Sequence, residues 1–106
     1  MYVLGILKEA RNADAEPAYA AEHQAFIGSL IKRNAVLLGG SFADVIDDAS
    51  AAYLLRCADL DEARRIAAKD PYVVNEVVRP RCVAWELVGI NPDAIDDSAV
   101  IRSEDV

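Results

Sequence analysis

The order of two hydrophobic patterns along the chain constrains its fold more than any other feature. Two segments repeat apolar residues every three or four positions, which is typical of amphipathic helices, at about 15–33 and 59–70. Four shorter segments are nearly continuous apolar runs, which are typical of β-strands, at about 1–8, 35–43, 51–58 and 81–90. The sequence therefore predicts the order strand, helix, strand, strand, helix, strand.

This order is that of a ferredoxin-like α+β domain, in which both helices lie on one face of an antiparallel four-stranded sheet. We assign residues 1–90 to this βαββαβ domain and residues 91–106 to an acidic C-terminal tail, which carries five acids and one base. Such a composition favours a solvated tail. The alternative is that its apolar stretch, Ala99 to Ile101, packs on a neighbouring subunit.

Two of the predicted strands lack the alternation of apolar and polar residues that is expected of a sheet with one solvated face. In the first and third strands, the runs YVLGIL and AAYLL are apolar at nearly every position. Two helices cover only one face, so the pattern predicts that a second copy covers the other, in a homodimer with two-fold symmetry. The alternative is that small alanines only blur the alternation.

Composition argues against several classes of partner and site. The chain has 106 residues and a formal net charge of −7, which argues against a nucleic-acid partner. No apolar run approaches the roughly 18 residues of a membrane span, and the amino terminus lacks the basic start of a secretory signal. We therefore expect a cytoplasmic protein with no membrane partner. The cysteines, Cys57 and Cys82, have no zinc-ligand spacing, so we expect reduced core thiols and no metal.

The only histidine of the sequence, His23, falls on the apolar stripe of the first predicted helix, so its ring is expected to face the sheet. A buried imidazole needs a partner for its N–H, because leaving that group unpaired costs about 1–3 kcal/mol. The carboxylate of Asp70 is the predicted partner, and such a contact fixes one tautomer while the other nitrogen stays basic. A satisfied core histidine and a catalytic base would both make this contact, and access from solvent distinguishes them.

Asp70 has a second predicted role, because it stands directly before Pro71. Aspartate is favoured at the N-cap of a helix and proline at its first position. Asp70 is therefore expected to accept a hydrogen bond from the backbone N–H of Tyr72 or Val73. A carboxylate offers about four acceptor sites, so capping and contact with His23 are compatible.

Four elements, taken in order, resemble the YCII-related family of small dimeric α/β-barrel proteins. They are a histidine in the first helix, a Leu-Leu strand followed by a glycine step, an acidic helix with Glu-Ala, and an Asp-Pro-Tyr-Val sequence. In this chain they correspond to His23, Leu37 to Gly40, Glu62 with Ala63, and Asp70 to Val73. The resemblance covers about residues 1–90, and it departs from the family pattern at Ser41, where the family usually has proline after the glycine.

The resemblance implies a cofactor-free enzyme that uses His23 and Asp70 for acid–base chemistry of the lyase or isomerase type. Its substrate would be a small metabolite, derived from an aromatic ring or a lactone. The candidate substrate-binding residues are Ser41, Gly40 and Tyr72, although packing in the core is the alternative for Tyr72.

A second function, from a different class, is a non-catalytic dimeric module that binds a small ligand or supports a partner enzyme. In that case His23 and Asp70 form a structural pair. A cavity of several hundred Å³ between the first helix and the sheet, reached by the imidazole, would favour the enzyme.

Overall fold

In a computed structural model, which describes residues 1–94 and 102–105, the chain folds in the predicted order of elements. The strands are β1 (Tyr2–Glu9), β2 (Val36–Ile46), β3 (Ala49–Arg56) and β4 (Val78–Ala84). The helices are α1 (Glu16–Lys32), α2 (Leu60–Ala67) and a short α3 (Pro71–Val74). The sheet order is β2-β3-β1-β4 with every pairing antiparallel, which confirms the ferredoxin-like α+β fold. Ala99 to Ile101 lie outside the described residues.

The core lies between the helices and one face of the sheet. Along β1 every second residue is buried, and Val3 and Leu7 are 0% and 3% exposed. Ala63 and Ala67 of α2 are fully buried, so this helix meets the sheet through small side chains. None of the helices in the described ranges has both the length and the hydropathy needed to cross a membrane.

The opposite face of the sheet is apolar, and no helix of the described chain covers it. On this face Leu4 of β1 lies between Leu54 of β3 and Val83 of β4. Leu38, Val83 and Trp85 are 52%, 43% and 49% exposed. Contiguous apolar surface of this kind marks an interaction site.

The connection between β2 and β3 is shorter than the sequence analysis predicted. The strands predicted at 35–43 and 51–58 leave residues 44–50 between them, whereas β2 continues to Ile46 and β3 begins at Ala49. The two residues left, Asp47 and Asp48, have φ of 50° and 66°. Positive φ at both central positions is typical of a type I′ hairpin turn, and aspartate tolerates it because its short side chain can hydrogen-bond locally.

The last strand also differs from its predicted range of 81–90. It begins three residues earlier, at Val78, and ends at Ala84, opposite Val3 near the start of β1. Beyond Ala84, the backbone N–H of Trp85 still donates to the carbonyl of Tyr2. Pro80 is accommodated because β4 is an edge strand, where a missing backbone N–H costs little.

Candidate active site

The centre of the candidate site is a contact between α1 and the junction of α2 with α3. The Nδ1 atom of His23 lies 2.8 Å from Oδ1 and 3.0 Å from Oδ2 of Asp70, across 47 positions of sequence. An ionised carboxylate only accepts hydrogen bonds, so in the neutral ring Nδ1 carries the hydrogen and Nε2 keeps the basic lone pair. Among the described residues no hydrogen-bond partner is found for Nε2.

Asp70 is fixed from two sides. Its side chain is 0% exposed, and Oδ1 also accepts from the backbone N–H of Tyr72 at 2.9 Å. Asp70 is the N-cap residue of α3 and Pro71 is at the start of that helix, so the predicted capping role is confirmed. The carboxylate therefore satisfies the helix start and the imidazole together, which compensates its removal from water.

Tyr72 packs behind the imidazole. Its ring is stacked on that of His23 with a centroid separation of 4.0 Å and an interplanar angle of 12°. Its hydroxyl donates to Oε1 of Glu16 at 2.5 Å. Burial and then the hydrogen bond to Glu16 raise the pKa of the Tyr72 hydroxyl above its ordinary value. Tyr72 therefore packs against the flat face of the His23 ring, and Glu16 holds Tyr72 in place through its hydroxyl.

A cavity of about 260 Å³ lies between α1 and the sheet. Its wall on the sheet side is formed by β1, β2 and β3, and its wall on the helix side begins at His23. The residues that line it are Leu7, His23, Gln24, Ile27, Gly28, Ile31, Gly39, Gly40, Ser41, Ala51, Ala52 and Tyr53. None of these side chains is a lysine, an arginine or a carboxylate, so the cavity suits a small ligand of low charge.

The structure brings three of the five candidate residues to this cavity. His23, Gly40 and Ser41 line it, whereas Asp70 and Tyr72 do not. Asp70 reaches the cavity only through the His23 ring, and Tyr72 contacts that ring instead of the cavity. The imidazole is 18% exposed in its side chain, so it is accessible while its carboxylate partner is not.

The sequence analysis missed several residues of the site. Gln24, Gly28 and Ile31 follow one another at intervals of four and three residues, and that helical spacing was a usable signal for the cavity wall. Glu16 gave no such signal, because its bond to Tyr72 joins residues 56 positions apart. The role of Gly39 also needed the structure: a Cβ there would lie 2.9 Å from Cβ of Tyr53 on the neighbouring strand.

A second, larger cavity of about 450 Å³ lies on the open face of the sheet. Its lining includes Leu37, Leu38, Leu54 and Trp85 and contains no titratable side chain. Within the described ranges, no group of three or more His, Cys, Asp or Glu side chains is placed to hold a metal ion. Of these two cavities, the first is therefore the one lined by an imidazole that can move a proton.

Comparison with known proteins places the chain in a family. A solved structure of 5-chloro-2-hydroxyhydroquinone dehydrochlorinase from Burkholderia phenoliruptrix AC1100, in complex with 2,5-dihydroxybenzoquinone, superimposes with a TM-score of 0.66 at 17% sequence identity. The match covers 81% of this chain and 94% of that one, and at this identity it shows a shared fold. No curated protein sequence matches significantly. The sequence model of the YCII-related domain matches residues 1–85, so the chain belongs to the YCII-related family.

Proposed function

We propose that the protein is a cofactor-free acid–base enzyme of the lyase or isomerase type that acts on a small metabolite derived from an aromatic ring or a lactone. The observation that carries this proposal is that His23 lines a cavity while its Nδ1 is held by a fully buried carboxylate. A histidine that only filled the core would have no need of access to a cavity. The structural neighbour, a dehydrochlorinase solved with a quinone, supports the choice of substrate class.

In the proposed mechanism, Nε2 of His23 takes a proton from a carbon of the ligand and returns it at a neighbouring position or to a leaving group. Asp70 keeps the ring in the tautomer that leaves Nε2 basic and stabilises the imidazolium that forms. Ser41 and the backbone of Gly40 bind an oxygen of the ligand. Tyr72 acts on the ring of His23 and not on the ligand, because it is absent from the cavity lining.

We further propose that the protein works as a homodimer in the cytoplasm, with residues 1–90 as the working domain and the acidic tail outside it. The apolar face of the sheet that no described helix covers supports the dimer, and the two free cysteines are those expected in a reducing compartment. The competing function is a non-catalytic module in which His23 and Asp70 are only structural. The double role of Asp70, as cap and as partner, is the observation that favours it.

Proton exchange separates the two functions without knowledge of the natural substrate. We would incubate the protein in D₂O with an uncharged butenolide such as α-angelica lactone, and follow deuterium incorporation by NMR. His23→Gln can still donate to Asp70, so its stability should change by only about 1 kcal/mol. Its exchange rate should nevertheless fall about a hundredfold or more.

Asp70→Asn is the companion variant, because it keeps a cap and the base but disturbs the tautomer. It should lose less exchange activity than His23→Gln. If the pair is only structural, both variants will melt at clearly lower temperatures and ligand affinity will follow the folded fraction, with no separate loss of activity. That outcome would support the non-catalytic ligand-binding or accessory module and contradict the enzyme.

A further inference from the structure

One end of the open face of the sheet is basic, although the chain has a formal net charge of −7. Residues that pair directly across two antiparallel strands point to the same face of the sheet. Lys8 of β1 pairs with Arg79 of β4, and Ile6 pairs with Arg81. Lys8 and Ile6 alternate with the buried residues of β1, so they lie on the open face with Leu4. The three cations therefore share the open face, at the end of the sheet where β1 stops.

None of these three cations forms an ion pair with a carboxylate among the described residues. Arg79 and Arg81 are exposed, and Lys8 is partly exposed. In a monomer all three charges stay in contact with water. Buried against an apolar surface, an unpaired guanidinium or ammonium group is strongly unfavourable. A partner that covers this end of the face therefore has to bring carboxylates to it.

Three carboxylates lie at the same end of the sheet, but on the other two strands. Asp47 and Asp48 form the turn between β2 and β3, and Asp44 precedes them in β2. The backbone N–H of Glu9, the last residue of β1, donates to the carbonyl of Asp48 at 2.7 Å, so this turn is level with the end of β1. In the part of the chain that the structure describes, none of the three aspartates forms an ion pair. This end is therefore basic on β1 and β4 and acidic on β2 and β3.

The opposite end of the open face is apolar, apart from Arg56 at the last position of β3. Two sheets that pack face to face with aligned strands have two possible two-fold axes, across the strands or along them. An axis across the strands places the basic end of each copy on the apolar end of the other, which buries cations without carboxylates. An axis along the strands joins like ends and sets β4 of each copy opposite β2 of the other. Apolar side chains then meet apolar side chains, and the basic strands meet the acidic turn.

We propose that the open face pairs with a second copy about a two-fold axis parallel to the strands, with Arg79 and Arg81 of each copy against the β2–β3 turn of the other; this inference rests on the homodimer of the proposed function. The space on β2 suits this arrangement. Arg81 shares a row of the sheet with Ile6, Ala52 and Gly40, and a Cβ on Gly40 would meet nothing within 4 Å. The long side chain of Arg81 thus lies over the smallest residues of the partner subunit. Packed sheets are about 10 Å apart, a gap that an arginine and an aspartate span together.

Complementary charge changes test this axis. The basic-end variant carries Arg79→Glu and Arg81→Glu. The turn variant carries Asp44→Lys together with Asp47→Asn and Asp48→Asn, because asparagine tolerates a positive φ. Each variant alone places like charges opposite each other, so we expect its dimer dissociation constant to rise about tenfold or more. The equimolar mixture should form heterodimers about as tightly as the unmodified protein, because both contacts then join opposite charges. Sedimentation velocity measures each variant and the mixture, in which one variant carries a fluorescent label.

Glu86→Lys is the matched control, because Glu86 is also exposed but follows Trp85 at the apolar end of the sheet. Mixed with the basic-end variant, it should associate no more tightly than the unmodified protein does. A measurement without substitutions gives a second check. The dissociation constant of the unmodified dimer should rise about three- to tenfold between about 50 mM and 500 mM NaCl, since salt screens ion pairs at the rim of an interface. A constant that does not change with salt would contradict these contacts.

The axis and the homodimer fail in different ways. If Glu86→Lys restores pairing with the basic-end variant and the turn variant does not, the axis runs across the strands, and the proposal is overturned while the homodimer stands. The same holds if the basic-end variant and the turn variant each dimerise as tightly as the unmodified protein, because the charged end then lies outside the interface. If the unmodified protein sediments as a monomer, the homodimer and its axis are overturned together.

Discussion

At the scale of single residues, one carboxylate links the local structure of the chain to its candidate chemistry. Asp70 begins α3 by accepting from the backbone of Tyr72, and the same side chain orients His23. The cap is a local contact, because Asp70 directly precedes Pro71 at the start of α3. The hydrogen bond to His23 forms only in the folded chain, because the two residues are 47 positions apart. The burial of Asp70 ties the two together, since a carboxylate removed from water needs all of its partners.

Comparison of two helix caps measures how much the burial of Asp70 and its contact with His23 add to the stability of the protein. Asp59 caps α2 by accepting from the backbone N–H of Glu62 at 2.7 Å, but it is exposed and makes no contact with a histidine. We expect Asp59→Ala to cost about 1 kcal/mol, which is typical of a lost cap. Asp70→Ala should cost about 2–4 kcal/mol, because it leaves a buried N–H and an imidazole without their acceptor. Urea denaturation measures both, and equal losses would show that the contact with His23 adds nothing to stability.

The buried phenol of Tyr53 predicts a pH dependence of stability. Its pKa is raised in the folded protein, while in the unfolded chain it ionises near the ordinary value of about 10. The stability that depends on the neutral phenol is therefore fully present below about pH 10 and is lost as the pH rises from there toward the folded pKa. The loss is at most about 1.4 kcal/mol for each pH unit. Tyr53→Phe should make the alkaline decline in urea-measured stability shallower, and identical declines would contradict this assignment.

At the scale of elements, β2 is the strand that shapes the cavity, and its two glycines have different surroundings. A Cβ on Gly39 would meet Tyr53 and lie 3.2 Å from the carbonyl oxygen of Ala52, whereas a Cβ on Gly40 would meet nothing within 4 Å. The first glycine thus allows the close approach of β3, while the second contributes only backbone to the cavity wall. The sequence shows two adjacent glycines but does not say which of them is needed for the close approach of β3.

Alanine at each position turns this difference into a prediction. Gly39→Ala should destabilise the protein by about 1–3 kcal/mol, since it forces the backbone of β3 or the ring of Tyr53 to move. Gly40→Ala, on the same strand, should change stability by less than about 0.5 kcal/mol. Thermal melts monitored by circular dichroism compare the two, and a similar loss in both variants would mean that the strand, and not the space above Gly39, is sensitive to substitution.

The elements also show which parts of the structure were accessible from sequence. The start of α3 was accessible, because the step Asp70–Pro71 acts within three residues and the predicted cap forms. The β2–β3 turn was not accessible from sequence, because two aspartates replace the glycine that usually marks such a turn. The hydrogen bond between Tyr72 and Glu16 was not accessible from sequence either, because a long-range contact between a helix start and a buried phenol has no local signature.

At the scale of the whole molecule, the sheet has one face that the helices bury and one that they leave open. Half-exposed apolar side chains such as Leu38 and Trp85 are costly to leave in water, and in the proposed homodimer a second copy of the same face would cover them by symmetry. A stable interface needs roughly 800 Å² from each partner, which a four-stranded sheet is large enough to supply. Such a dimer buries the open face and leaves the His23 cavity, which lies on the helix side, outside the contact between the sheets.

Two exposed valines, one on each side of the sheet, test this arrangement. Val83 lies on the open face and is 43% exposed, whereas Val74 belongs to α3 on the helix side and is 65% exposed. Val83→Asp places a charge in the proposed interface and should convert the protein to a monomer at micromolar concentration, because an unpaired buried charge is strongly unfavourable. Val74→Asp should remain a dimer, as should the unmodified protein. Sedimentation velocity distinguishes these outcomes: a monomeric unmodified protein, or a Val83→Asp variant that remains dimeric, would show that the open face has another use.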